Sequence, residues 1–358
     1  MERYIGLDVH AASCTLGVLS QSGKRVGTHV VETSAKSLIA LLDTIPGRKH
    51  VCLEEGTMAG WLYEVLSPHV EEVVVAGVEE SRGPKSDKLD AFGRAEELRI
   101  GAVRKRVYKE RGSFAALGYR AKVHDKVMRD SVRVMARITS LMRSRGVRVP
   151  HAGVYSESGR KKWIAGLPEA ARYAAEILYA ELDALMVLRA HAEKEMVSEA
   201  RRHAEFRILK SCPGLGSIRA AQLMAVVVTP YRFASKRTFW SFWSYCGLGI
   251  VMRSSSDWAR AQDGKWMRVP VQQTRGLSRS FNRTLKMVFK GAATTVISRR
   301  EDDPLFRHFT RLLDNGTKPN LARLTIARQI ASIALSLWRN KEKYDPKKLE
   351  LKEVPAGA

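Results

Sequence analysis

The sequence predicts an α/β domain followed by two mainly helical stretches. Three observations predict it. Short apolar runs separated by turn residues fill residues 1–102. Residues 103–205 carry long segments with helical spacing and few breakers. Residues 206–340 combine an Ala-rich helix, an aromatic cluster and glycine-rich turns. A tail, residues 341–358, closes the chain and is expected to fray after Pro346.

In the first stretch the expected strands are Tyr4–Asp8, Cys14–Ser20, Arg25–Val31, His50–Glu54 and Val70–Ala76. Gln21-Ser22-Gly23-Lys24 reads as a hairpin turn between the second and third. Helices are expected at Ser34–Thr44, Met58–Ser67 and Lys88–Ile100. Thr33 or Ser34 can cap the first and Ser86 the last. Three antiparallel strands, a helix, a central strand carrying an acid and a late helix carrying acids describe a ribonuclease-H-like (RuvC-like) fold.

The middle stretch predicts a basic helix over Ser113–Arg145, ended by Gly146, Pro150 and Gly153. A second helix starts near Pro168 and runs toward Ala204. Leu178, Leu182, Leu185, Ala192 and Met196 form a coiled-coil-like seam on it, interrupted by Arg189. An antiparallel helical arm and an oligomerisation coil both fit.

In the third stretch, Pro213-Gly214-Leu215-Gly216 stands between helices and resembles a helix-hairpin-helix turn. Gly214 and Gly216 would let backbone N–H groups approach a phosphate. Such a turn also has a purely structural reading. Phe239, Trp240, Phe242, Trp243 and Tyr245 read mostly as core. Arg253 then precedes Ser254, Ser255 and Ser256, a triplet that could hold a nucleophile or form an ordinary loop. Gln273–Leu285 is a basic turn entering a helix, with Arg275, Arg279 and Arg283 placed to hold phosphates or pack on the serine loop.

Four acids carry the chemistry. Asp8 ends the run Tyr4-Ile5-Gly6-Leu7, and Glu54 ends Val51-Cys52-Leu53. Asp87 and Asp90 lie three apart, on one face of a first helical turn. A helix dipole favours acids there without any metal. Carboxylates at the ends of buried strands are costly unless paired. Two like charges ~4 Å apart repel by about 4 kcal/mol at an effective dielectric near 20. A converging set therefore calls for a cation or for protonation. Mg²⁺ prefers oxygen ligands and serves phosphodiester chemistry. Glu55 competes with Glu54, but alternation allows only one on the active face, and the preceding apolar run favours Glu54.

Composition names the partner. The formal net charge is +24 over 358 residues, which suits a polyanion. From Gly101 to Arg148 there are fourteen Lys or Arg, among them Arg104, Lys105 and Arg106, against Glu110, Asp125 and Asp130. That sign bias exceeds an ordinary solvated helix surface. Cys14, Cys52, Cys212 and Cys246 form no CxxC pair and read as small buried residues in a reducing compartment. No leader segment is visible and no apolar run nears the ~20 residues of a membrane span, so a cytoplasmic location is expected.

Together, Tyr4–Val9, Cys52-Leu53-Glu54 with Gly56-Thr57, Ser86–Ala91, Pro213–Gly216, Tyr245–Leu248, the serine cluster and Arg279–Leu285 resemble the DEDD-type transposases of bacterial insertion sequences, the one-ten group of bridge-RNA-guided recombinases. The resemblance covers nearly the whole chain. It implies Mg²⁺ bound by Asp8, Glu54, Asp87 and Asp90, and a serine that attacks the DNA phosphate. It also implies a homo-oligomer, dimer or tetramer, in which the acids of one subunit meet the serine of another. Donor and target double-stranded DNA and a noncoding bridge RNA are the implied partners, in a bacterial nucleoid. Alignment from Gly247-Leu248 places the nucleophile at Ser255, with Ser254 or Ser256 one residue away. The sequence departs from the family pattern here, because Arg253 and three serines replace a Ser-Gly pair, and the insert before Gln273 is longer.

Two rivals stand beside this reading. A structure-specific nuclease resembling Holliday-junction resolvases would use the four acids to activate water and would need no serine. A non-enzymatic nucleic-acid-binding protein would bind without Mg²⁺-dependent chemistry.

Overall fold

A computed structural model of the chain describes residues 1–78, 86–103, 106–107, 112–149, 153–233, 238–253, 258–262, 264–268, 274–278, 280–299 and 302–350. They fall into two compact units, Met1–Glu110 and Arg111–Ala358.

The first unit is built on one mixed sheet. Its strands are β1 (Glu2–Val9), β2 (Ser13–Ser20), β3 (Arg25–Glu32), β4 (Arg48–Glu54) and β5 (Glu72–Ala76), in the order β3-β2-β1-β4-β5. β2 is antiparallel to both β1 and β3, whereas β4 is parallel to β1 and β5 to β4. The helices are α1 (Ala35–Thr44), α2 (Ala59–Leu66) and α3 (Asp87–Arg99). Ser34 is the cap of α1, accepting from the Ser37 N–H.

Alternation along the strands sorts side chains to two faces. Ile5, Leu7, Leu16, Val18, Val51 and Leu53 pack with Leu38, Leu42, Leu62 and Leu66 of α1 and α2. Each such buried aliphatic contributes about 1.5–3 kcal/mol. The other face holds Cys52 and Val74 beside Leu98 of α3, and Leu19 beside Phe92 and Ala95 of α3.

The second unit is mainly helical. α4 (Ala115–Ser144), α5 (Glu157–Ala165) and α6 (Glu169–Ala200) come first. α4 and α6 pack antiparallel. Val134, Ile138 and Met142 meet Ala171, Ala175, Tyr179 and Leu182, while Leu117 and Ala121 share a cluster with Met196 and Ala200. Arg120–Glu199 (2.6 Å) and Arg137–Glu181 (2.7 Å) tie the pair laterally. The expected seam of α6 is thus filled by α4 of the same chain.

α7 (Ala204–Ser211), α8 (Ser217–Val227), α9 (Thr238–Tyr245), α10 (Arg283–Arg299), α11 (Pro304–Asp314) and α12 (Pro319–Asn340) follow. Phe206, Leu209, Ala220, Met224, Phe289, Ala292, Ile330 and Trp338 belong to their shared core.

The second unit adds detail to three of these expectations. The third stretch is not purely helical: β6 (Ile250–Arg253) pairs with β9 (Thr274–Leu277), and β7 (Trp258–Arg260) with β8 (Trp266–Arg268). β-Branched and aromatic residues favour these strands, but three or four residues are too few to show a period. Of the aromatic cluster, Phe242, Trp243 and Tyr245 pack in the core as expected, whereas Phe239 and Trp240 are exposed. The tail begins in an ordered way: α13 (Lys347–Glu350) follows, with Tyr344 and Leu349 packed against the helical core.

All four cysteines are free and buried. Among the described residues, no helix is long and apolar enough to cross a membrane.

Candidate active site

The site forms where β1 and β4 end. The two strands are parallel, and Leu7 lies beside Leu53, so Asp8 and Glu54 leave the sheet at the same edge. Gly6 faces α3, and alternation puts Asp8 and His10 on that same face.

α3 is brought close by two glycines. Gly6 and Gly17 are direct cross-strand partners. A Cβ on Gly6 would overlap the Ala91 carbonyl oxygen and lie 2.5 Å from the Ala95 N, and one on Gly17 would lie 2.9 Å from the Phe92 N. The helix backbone therefore rests on a floor without side chains. Ser86 caps its first turn by accepting from the Leu89 N–H at 3.3 Å. Asp87 and Asp90 stand in that turn.

The result is a group of Asp8, His10 and Asp87, whose ligating atoms lie within 4.8 Å of one another. His10 Nε2 is 3.3 Å from Asp8 Oδ2 and 3.5 Å from Asp87 Oδ2. Burial raises the Asp8 pKa above its ordinary value; nearby His10 opposes this, and the charges of Asp87 and Asp90 add to it.

Glu54 stands apart from this group. Its Oε1 accepts from Arg94 Nη2 at 3.0 Å, and Arg94 Nη1 donates to Glu97 at 2.7 Å. Sequence reasoning missed both His10 and Arg94. Signals existed: His10 follows Asp8 by two, just past the strand, and Arg94 follows Asp90 by four on a helix. Arg106 pairs with Glu72 at 3.7 Å and lines a cleft of about 480 Å³ that contains none of the four acids.

In the second unit, Gly214 has φ +73° and is buried, and a Cβ there would strike the Ala292 carbonyl of α10. Arg219 Nη1 donates to the Gly214 carbonyl at 2.8 Å and to Thr295 Oγ1 at 2.9 Å. Gly214 thus seals the turn against α10. Gly216 is the exposed glycine and directly precedes α8.

Ser254, Ser255, Ser256, Arg104, Lys105 and Arg279 lie outside the described residues. The strands flanking the serines are described: Arg253 pairs with Thr274 and Met252 with Arg275. Arg283 opens α10 and is exposed. Just before it, the Asn282 N–H donates to the Tyr245 carbonyl at 2.9 Å, and the Phe281 ring lies where a Gly247 Cβ would stand. This segment packs on the Tyr245–Gly247 turn that leads into β6.

Asp8, His10 and Asp87 thus form a carboxylate-rich cluster where β1 ends, in a chain of net charge +24. Residues 206–268 match the model of the Transposase IS116/IS110/IS902 family. The match supports a transposase of the one-ten group, an enzyme that cuts and rejoins DNA. Comparison with curated proteins finds no match.

Proposed function

We propose that this chain is the transposase of an insertion sequence, a recombinase that cuts and rejoins DNA through a covalent serine–phosphate link. The observation that carries the reading is the meeting of Asp8, His10 and Asp87 at one sheet edge. The sheet order β3-β2-β1-β4-β5, with acids at the ends of β1 and β4 and at the start of α3, supports a ribonuclease-H-like, RuvC-like catalytic domain.

The donor set fits Mg²⁺, because carboxylate oxygens dominate it and a cation would offset the burial, and the lesser charges of Asp87 and Asp90, that raise the Asp8 pKa. Asp8, Asp87 and Asp90 would hold the ion, and Glu54 would join them by leaving Arg94. Bound there, Mg²⁺ would stabilise charge on the phosphate.

The chain's own residues supply the rest. The hydroxyl oxygen of Ser255, or of its neighbour Ser254 or Ser256, attacks phosphorus. An Oγ–P bond forms as the bond from phosphorus to one deoxyribose oxygen breaks. That oxygen leaves as a hydroxyl, taking up the proton lost by serine. Attack by another deoxyribose hydroxyl reverses the step and rejoins the strand. A serine hydroxyl needs activation to do this. Gly216, Arg275, Arg279 and Arg283, with Arg104, Lys105 and Arg106, bind phosphates along the path. A bridge RNA selects the DNA by base pairing, which suits a basic chain with no base-reading motif. The acids of one subunit and the serine of another complete each site.

The test uses full-length protein purified from cells carrying its flanking DNA. With Mg²⁺ and that DNA, wild type gives a detergent-resistant protein–DNA adduct and recombinant product. Replacing all three serines with alanine removes both. Cleavage that survives the triple replacement would establish the water-activating nuclease instead. RNA recovered after a high-salt wash tests guidance: one discrete species from beside the gene supports it, and a random mixture sinks it.

A further inference from the structure

We propose that the β7–β8 hairpin is a stacking platform for the bases of unpaired nucleotides. Its place beside the reacting phosphate rests on the function proposed above; the stacking itself does not.

The hairpin lies in the insert before Gln273. In its register Trp258 stands opposite Arg268, Ala259 opposite Met267 and Arg260 opposite Trp266. Cross-strand partners share a face, and so do alternate residues of one strand. Positions 258, 260, 266 and 268 therefore lie on one face, where tryptophan and arginine alternate both along and across the strands. Trp258 is 58% exposed and Trp266 65%, and Arg260 is exposed with them. The loop is closed by the Ala261 N–H donating to the Lys265 carbonyl at 2.8 Å and the Gly264 N–H donating to the Ala261 carbonyl at 2.9 Å. Arg260 Nε donates to the Gly264 carbonyl at 3.2 Å, which holds its guanidinium beside the turn.

Two indoles left in water on one face mark an interface, and the charge around them identifies the ligand. Arginine interleaved with tryptophan, in a chain of net charge +24, selects a polyanion that also offers flat rings. Nucleic acid is both. A duplex shows only base edges in its grooves, because its base faces are stacked on one another. An unpaired strand offers the faces themselves. Trp258 and Trp266 are diagonal neighbours on their face, a relation that sets residues about 7–8 Å apart. Two steps of a stacked strand, at roughly 3.4 Å each, span nearly the same distance. Nearby bases of one strand can thus stack on the two indoles while Arg260 meets the phosphates between them.

The position in the chain gives the platform a use. Asp257 alone separates Ser256 from Trp258, and two residues of chain reach at most about 7 Å. Bases held on the hairpin would keep the strand unpaired within a few nucleotides of the phosphate that the serine attacks.

The experiment uses the full chain, stripped of bound nucleic acid by high salt, in a metal chelator so that no strand is cut. The probes are oligothymidylate and oligouridylate of about 12 nucleotides, an abasic strand of the same length and charge, and a duplex. Binding is read by fluorescence anisotropy and by quenching of tryptophan emission. Wild type should bind the base-bearing strands at least about tenfold more tightly than the abasic one, with quenching. Trp258→Ala with Trp266→Ala should weaken base-bearing strands by about a hundredfold, at roughly tenfold per stacked base, abolish most of the quenching and leave abasic binding unchanged. Trp258→Phe with Trp266→Phe should restore most of the affinity, and circular dichroism confirms that each variant folds. Tighter binding of the DNA or of the RNA strand supports the platform in either case and tells which one it holds. Equal affinity for abasic and base-bearing strands, preference for the duplex, a folded alanine variant that binds as wild type, or quenching by phosphatidylserine vesicles but by no oligonucleotide would each overturn the proposal. Loss of serine chemistry with the stacking intact would overturn only the function proposed above.

Discussion

Arg94 donates one hydrogen bond to Glu54 at 3.0 Å and another to Glu97 at 2.7 Å, so the acid of β4 is held by a helix rather than by the other acids. This separates Glu54 from Asp8 and Asp87 in a testable way. Asp8→Asn and Asp87→Asn should each weaken Mn²⁺ binding, read by titration calorimetry, by at least about tenfold, or ~1.4 kcal/mol. Glu54→Gln should weaken it less. Equal losses in all three would mean that giving up the Arg94 bond costs Glu54 nothing when it joins the ion.

The glycine floor predicts a stability effect with a functional consequence. Gly6→Ala forces α3 off the sheet, because the new methyl meets the Ala91 carbonyl and the Ala95 backbone N. Overpacking of this kind costs about 1–3 kcal/mol. Differential scanning calorimetry should show a lower melting temperature, and activity should fall further than stability, since Asp87 moves with the helix. A variant with wild-type melting and activity would refute the floor.

His124 offers a pH test. Burial holds its imidazole below the ordinary range, and both ring nitrogens are buried with no hydrogen-bond partner among the described residues. The folded pKa is depressed, so stability is intact above the unfolded value of about 6.5 and declines as pH falls below it. His124→Leu should flatten that decline and stabilise the protein by about 1 kcal/mol at pH 7. Urea unfolding at pH 7 and pH 5 measures both.

The solvent face of α4 carries Lys122, Lys126, Arg129 and Arg133, all exposed and opposite the buried seam. Asp125 and Asp130 pair with Arg129 and Arg133 on the same helix. Replacing Lys122 and Lys126 with alanine should lower the salt slope of DNA binding by about 1.8, at roughly 0.9 per phosphate contact. An unchanged slope would remove this face from the DNA path.

Much of the first unit was legible in the sequence. Its five strands and three helices were expected to within a few residues because turn residues and β-branched runs report local structure directly. The meeting of Asp8 with Asp87 was legible as an idea, since both stand at element ends. The partner of Glu54 was not, because Arg94 approaches it from forty residues away in sequence. In the second unit, strands β6 to β9 escaped because each has only three or four residues. The Gly214 turn reads in the sequence as a phosphate contact or as structure, and what the sequence could not reveal is the Ala292 carbonyl that a Gly214 Cβ would strike.

The Gly6–Gly17 pair makes the spacing between β1 and α3 a matter of backbone against backbone. No rotamer change can adjust it. Site geometry and sheet integrity therefore become a single quantity, and heat should extinguish catalysis at the same temperature at which this sheet melts, with no inactive but folded state in between.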